Sequence, residues 1–146
     1  MLLPLIRTTV LAALLAGCQP ASVSTPAATG LSADAGGLKP AGTDLRIDFG
    51  RAQAGVVDAV TRLLGAPPVG TTRACDGATG LQWASGLTLL FRDGDFRGWI
   101  IDQPGISAGG LSVGGPSGPS PGFSVEEQGG RVIVMRGGLL CRGPEI

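Results

Sequence analysis

The stretch Leu81–Asp102 constrains this chain more than any other. Leu81 to Ala84 and Leu87 to Arg92 read as strands parted by Ser85-Gly86, and Phe96 to Asp102 reads as a return strand. Between the last two, Asp93-Gly94 suits a primed hairpin turn, because glycine tolerates the positive φ such turns demand. Within Leu87–Arg92, strand alternation puts Leu87, Leu89 and Phe91 on one face and Thr88, Leu90 and Arg92 on the other. Trp99 on the return strand then falls near the core. An antiparallel meander is the expectation, and it needs an apolar partner layer to cover its inner face.

That layer is supplied just upstream. In Ala52–Leu64 the residues Val56, Val60, Leu63 and Leu64 fall at i, i+4, i+7 and i+8, which makes one apolar stripe on a helix. Asp58 and Arg62 are spaced for an i,i+4 ion pair, and Gly65 followed by Pro67-Pro68 stops the helix. Before it, Leu45-Arg46-Ile47-Asp48-Phe49 alternates like a half-buried strand. After it, Val69 to Cys75 reads as a short strand closed by an Asp76-Gly77 turn. Residues 105–122 are rich in Gly, Pro and Ser and read as a long loop, with a brief strand around Leu111–Val113. Phe123–Glu127, a Gly129-Gly130 turn and Arg131–Met135 form a last hairpin, followed by a short strand around Leu139–Cys141.

The N-terminus carries a different signal. Arg7 is followed by an almost wholly apolar run, Thr8 to Ala16, which is the layout of a secretory signal. Leu15-Ala16-Gly17-Cys18 resembles the lipobox of bacterial lipoproteins at every position. The resemblance implies cleavage after Gly17, a thioether from the Cys18 sulfur to diacylglycerol, and acylation of the new amine. Gln19 after that cysteine, rather than Asp, resembles the pattern of lipoproteins sent to the outer membrane. The expected address is therefore the bacterial cell envelope, lipid-anchored and facing the periplasm. Gln19 to about Gly42 is built of Ala, Ser, Thr, Pro and Gly with little periodicity, and reads as a flexible tether.

Composition narrows the chemistry. The chain has no His and no Tyr, so Ser–His–acid and Cys–His mechanisms and histidine metal sites are out of reach. The one lysine, Lys39, falls in the presumed tether. No catalytic residues, metal ligands or cofactors are expected, and the chain reads as a non-enzyme. Without Arg7 the mature chain carries ten basic against eleven acidic side chains, so nothing in its charge points to nucleic acid. With Cys18 lipidated, Cys75 and Cys141 remain as an even pair in an oxidising compartment. A disulfide between them would add roughly 4 kcal/mol on the chain-entropy account; two buried thiols or a metal pair are the alternatives.

Other constellations are weak. Asp93-Gly94-Asp95 lacks the later ligands of a calcium loop and suits a turn. Glu126 and Glu127 are neighbours, so on a strand they point to opposite faces. Gly109-Gly110-Leu111-Ser112-Val113-Gly114-Gly115 has no P-loop lysine and precedes no helix. Trp83 and Trp99 read as core rather than as a binding face.

Leu45–Asp102 resembles one repeat of the small envelope lipoproteins of the SmpA/OmlA-like family and its β-lactamase-inhibitor-protein-like relatives. The residues that carry this are Arg62-Leu63-Leu64-Gly65-Ala66-Pro67, Trp83-Ala84-Ser85-Gly86-Leu87 and Asp93-Gly94-Asp95-Phe96-Arg97-Gly98-Trp99. Gly109–Gly114 resembles the opening of a second repeat, but the prolines from Pro116 to Pro121 forbid its helix. No partner-binding residues are carried over.

These readings give a signal peptide at 1–17, a lipidated N-terminus and flexible tether at 18–43, and a single α+β domain at 44–146. That domain is a small antiparallel sheet, meander plus C-terminal hairpin, packed on one main helix through Val56, Val60, Leu63, Leu64, Trp83, Leu89, Phe91 and Trp99. The expected role is that of a non-enzymatic envelope lipoprotein. It would meet the membrane through its lipid and envelope proteins through its surface, in outer-membrane assembly or maintenance. The alternative is a periplasmic small-ligand binder with a pocket between the sheet and the 105–122 loop.

Overall fold

The computed structural model describes residues 30–139, and within them the chain is α+β, with one helix and two sheets. The strands in chain order are β1 (Leu31–Asp34), β2 (Gly37–Pro40) and β3 (Ile47–Asp48), then helix α1 (Gln53–Leu64). After the helix come β4 (Gly70–Arg73), β5 (Thr79–Gln82), β6 (Leu87–Arg92), β7 (Asp95–Ile101), β8 (Ser107–Ala108), β9 (Ser124–Gln128) and β10 (Arg131–Gly138). One sheet has the order β3-β2-β1-β8 and the other β4-β5-β6-β7-β10-β9; only the β1–β8 pairing is parallel.

The meander forms as its sequence demands. Asp93 and Gly94 both take positive φ, 54° and 78°, and join β6 to β7 by a two-residue primed turn. Gly129 and Gly130, at 60° and 74°, do the same between β9 and β10. The C-terminal hairpin joins the meander directly, because β10 pairs with β7 from Met135↔Ile101 to Gly138↔Gly98. This junction depends on missing side chains. A Cβ on Gly137 would lie 2.3 Å from the Trp99 indole, and one on Gly98 would lie 2.8 Å from the Gly137 carbonyl oxygen.

Helix α1 is held at both ends by the meander. Ala52 supplies no side-chain cap; instead the Gly94 carbonyl accepts from the Gln53 amide at 2.8 Å, and the Arg51 carbonyl accepts from Phe96. At the other end Gly65 adopts the left-handed conformation that closes the helix, and Trp83 Nε1 donates to the Ala66 carbonyl at 3.1 Å. Val56 and Val60 are buried in the core, with Val57 and Leu64 packed at its margin. Leu63, expected in the core, is 38% exposed. The reason is rotational: the buried arc centres near Val60, with Leu64 and Val57 to one side, so Leu63 falls on the opposite shoulder of the stripe.

The largest correction concerns the supposed tether. Residues 31–40 form the hairpin β1–β2, and its side chains Leu31, Ala33 and Leu38 are buried. The domain therefore begins at least as early as Leu31, not at residue 44. Asp34 Oδ1 accepts from the Gly36 amide and shapes the turn. What holds the hairpin is distant in sequence: Trp99 Nε1 donates to the Asp34 carbonyl at 2.9 Å, and β8 runs beside β1. The strand expected over residues 45–49 shortens to Ile47–Asp48, leaving Leu45 in the open. β10 runs unbroken to Gly138 and Leu139 follows it as a bend, while the rest of the strand expected at Leu139–Cys141 lies outside the described residues.

Trp99 is fully buried where the two sheets meet, 5.5 Å from Phe123 between ring centres. Phe96 sits against Phe49 and Phe91 in the same core. The 105–122 segment is laid onto this body: Ile106 and Ala108 are fully buried, and Gly114 and Gly115 exchange backbone hydrogen bonds with Val132.

Candidate functional site

Of the residues singled out from the sequence, Cys18 and Cys141 lie outside the described residues. Cys75 is disulfide-bonded. It follows β4, in a 3-10 turn at Cys75–Gly77, and its partner cysteine lies outside the described residues. Trp83 and Trp99 are both buried and each spends its indole N–H on a backbone carbonyl, so neither forms a binding face. Asp95 is engaged by Arg97 at 2.9 Å, and Asp93 sits in the turn. Glu126 pairs with Arg136 at 3.0 Å on the outer sheet edge, and Glu127 is exposed beside it. The glycine-rich 109–115 segment uses its amides internally: Ala108 and Leu111 exchange two backbone hydrogen bonds around Gly109-Gly110. Among the described residues no group of three metal-capable side chains gathers, and no helix is long and apolar enough to cross a membrane.

One charged cluster ties β1 to β3 and its approach across the first sheet. Arg46 meets Asp34 in a two-pronged contact, Nη1–Oδ2 at 2.6 Å and Nη2–Oδ1 at 2.7 Å, and gives its Nε to Asp48 Oδ1 at 2.9 Å. The Arg46 guanidinium holds the Asp34 carboxyl below its ordinary pKa, assisted by the Gly36 amide and opposed by partial burial. In return Asp34, and then Asp48, hold Arg46 more firmly protonated. Two carboxylates thus converge on one cation. That is a clamp for the β2–β3 connection, since the Asp34 carboxyl is lowered rather than raised toward the range a general acid needs.

Beside this clamp lies a surface groove. Two adjoining recesses of about 380 and 370 Å³ share Ile47, Arg51 and Ala59, and together form a groove along α1. One wall is the helix, with Gly55, Ala59 and Leu63; the other is the chain from Pro40 to Ile47. Leu45 is 75% exposed and, like the half-turned Leu63, lines the groove rather than the core. Arg46, Arg51 and Arg62 line its rim. Arg62 is paired with Asp58 one helical turn away, whereas Arg51 makes no ion pair with a described residue. Sequence periodicity places Leu63 in the core and Leu45 on a half-buried strand, so this groove is invisible to it.

No family model, no curated protein and no solved structure matches the chain.

Proposed function

We propose that this chain is a lipid-anchored, non-enzymatic lipoprotein of the bacterial cell envelope that works by protein–protein contact in outer-membrane assembly or maintenance. The observation that carries the reading is Leu15-Ala16-Gly17-Cys18 behind an apolar run. The described domain is compatible with a contact role: its acidic side chains are spread over the surface, several of them in ion pairs with arginine. The ligand-binding alternative finds less support where it was expected, because Ile106 and Ala108 of the 105–122 loop are packed into the core.

The test is the intact mass of the protein extracted from membranes, with and without reduction and alkylation. The expected result is a chain starting at Cys18 with acyl mass added. An unmodified soluble chain, or one that keeps residues 1–17, overturns the proposal.

A further inference from the structure

The groove along α1 opens where the N-terminal connection reaches the domain. The Ala41 amide donates to the Gly30 carbonyl at 2.8 Å, and Pro40, the residue before Ala41, lines the groove. Whatever anchors the chain upstream of Gly30 therefore pulls on this end. A peptide of the length from Gln19 to Gly30 reaches at most about 40 Å. A domain of this size has a radius of gyration of about 13 Å, hence a diameter of roughly 35 Å. A lipid on Cys18 then keeps the tether end within about one domain diameter of the bilayer.

From this placement, and resting on the lipoprotein reading above, we infer that the groove face carrying Leu45, Leu63 and Arg51 is the face the domain lays on the phospholipid headgroup layer. Its chemistry is interfacial. Leu45 and Leu63 offer exposed apolar side chains, and the Arg51 guanidinium, which makes no ion pair with a described residue, offers donors to a phosphate oxygen. The charge balance sets the character of the contact. Arg46 is neutralised by Asp34 and Asp48, Arg62 by Asp58, and the exposed Asp44 precedes Leu45. The face is thus close to neutral and not drawn to anionic lipid from a distance. Two leucines bind a bilayer weakly when free. A tether raises the effective concentration of the surface and makes a weak contact persistent. The contact is accordingly expected only in the tethered state, with little dependence on anionic lipid content.

The experiment uses the chain from Gln19 to Ile146 with six histidines in place of residues 1–18, held on vesicles of phosphatidylethanolamine and phosphatidylglycerol doped with a nickel-chelating lipid. The chain has no histidine of its own to compete. Leu45→Trp places a reporter in the groove. Gln128→Trp places one at the β9–β10 turn, the far end of β10 from Gly138, which abuts Phe49. The buried Trp83 and Trp99 give a background common to both. With lipids brominated near the top of the acyl chains, the added emission of Leu45→Trp is expected to fall at least twofold, that of Gln128→Trp to stay unchanged, and imidazole release to restore the signal. Adding Leu63→Glu to Leu45→Trp is expected to abolish the quenching. Absence of quenching at Leu45→Trp, or equal quenching at both positions, overturns the inference, including the case in which the groove is kept for a protein partner. The histidines supply the anchor, so this result is independent of whether the cell lipidates Cys18; the mass measurement decides that separately.

Discussion

Leu38→Ala tests whether residues 31–40 belong to the folded body. Leu38 is fully buried in β2, in one cluster with Trp99 and Ile106. Truncation removes three carbons, worth about 2.5 kcal/mol of transfer free energy at ~0.8 kcal/mol per methylene. The cavity left behind raises the expected loss to about 3–4 kcal/mol. For a domain of this size the urea dependence is about 1.5–2 kcal/mol per molar, so the midpoint should fall by roughly 2 M. Tryptophan fluorescence is a suitable assay, because Trp99 Nε1 is bonded to the Asp34 carbonyl and loses that partner when the hairpin detaches. Lys39→Ala is the control: its side chain is exposed in the same strand, and a change within about 0.5 kcal/mol is expected. If Leu38→Ala shifts the midpoint no more than Lys39→Ala, the first hairpin contributes nothing to the core and the reasoning fails.

Three further outcomes follow from the same packing. Gly137→Ala should cost about 1–3 kcal/mol by overpacking and shift the Trp99 emission, because its Cβ would overlap the indole; unchanged emission and stability would refute the close approach. The folded-state pKa of Asp34 is lowered by Arg46, so its contribution is complete above the unfolded value of about 4 and is lost as pH falls through the folded value. The urea-midpoint difference between the native chain and Arg46→Gln should therefore hold steady from pH 7 to about pH 5 and shrink toward pH 2.5; a constant difference would remove the clamp's role. Because Cys75 is disulfide-bonded, reduction should lower stability by about 2–4 kcal/mol, and non-reducing peptide mapping should find Cys75 joined to Cys141; Cys75 joined to Cys18 would contradict the lipid anchor.

The α+β class, the meander and its Asp93-Gly94 turn, the helix with its Gly65 stop, and the Gly129-Gly130 hairpin were all legible in the sequence. Each is specified by residues within a few positions of one another: a period of two or of 3.6, or a glycine where φ must be positive. Burial of Trp83 and Trp99 was legible for the same reason, since large apolar groups on patterned strands leave water wherever the strands lead. The Cys18 motif was equally local, and it lies outside the described residues. What only the tertiary structure decided depends on partners far along the chain. Leu31–Pro40 has little pattern of its own, and its hairpin is fixed to the domain by Trp99, which bonds the Asp34 carbonyl, and by β8, which pairs with β1. The helix cap comes from Gly94 rather than from a side chain at its start. Leu63 fits the helical stripe by period, yet tertiary packing turned the helix so that Val60 centres the contact, leaving Leu63 and Leu45 to line a groove. Periodicity specifies that a helix has an apolar side; the direction that side faces, to within a few tens of degrees, is set by what else must be buried.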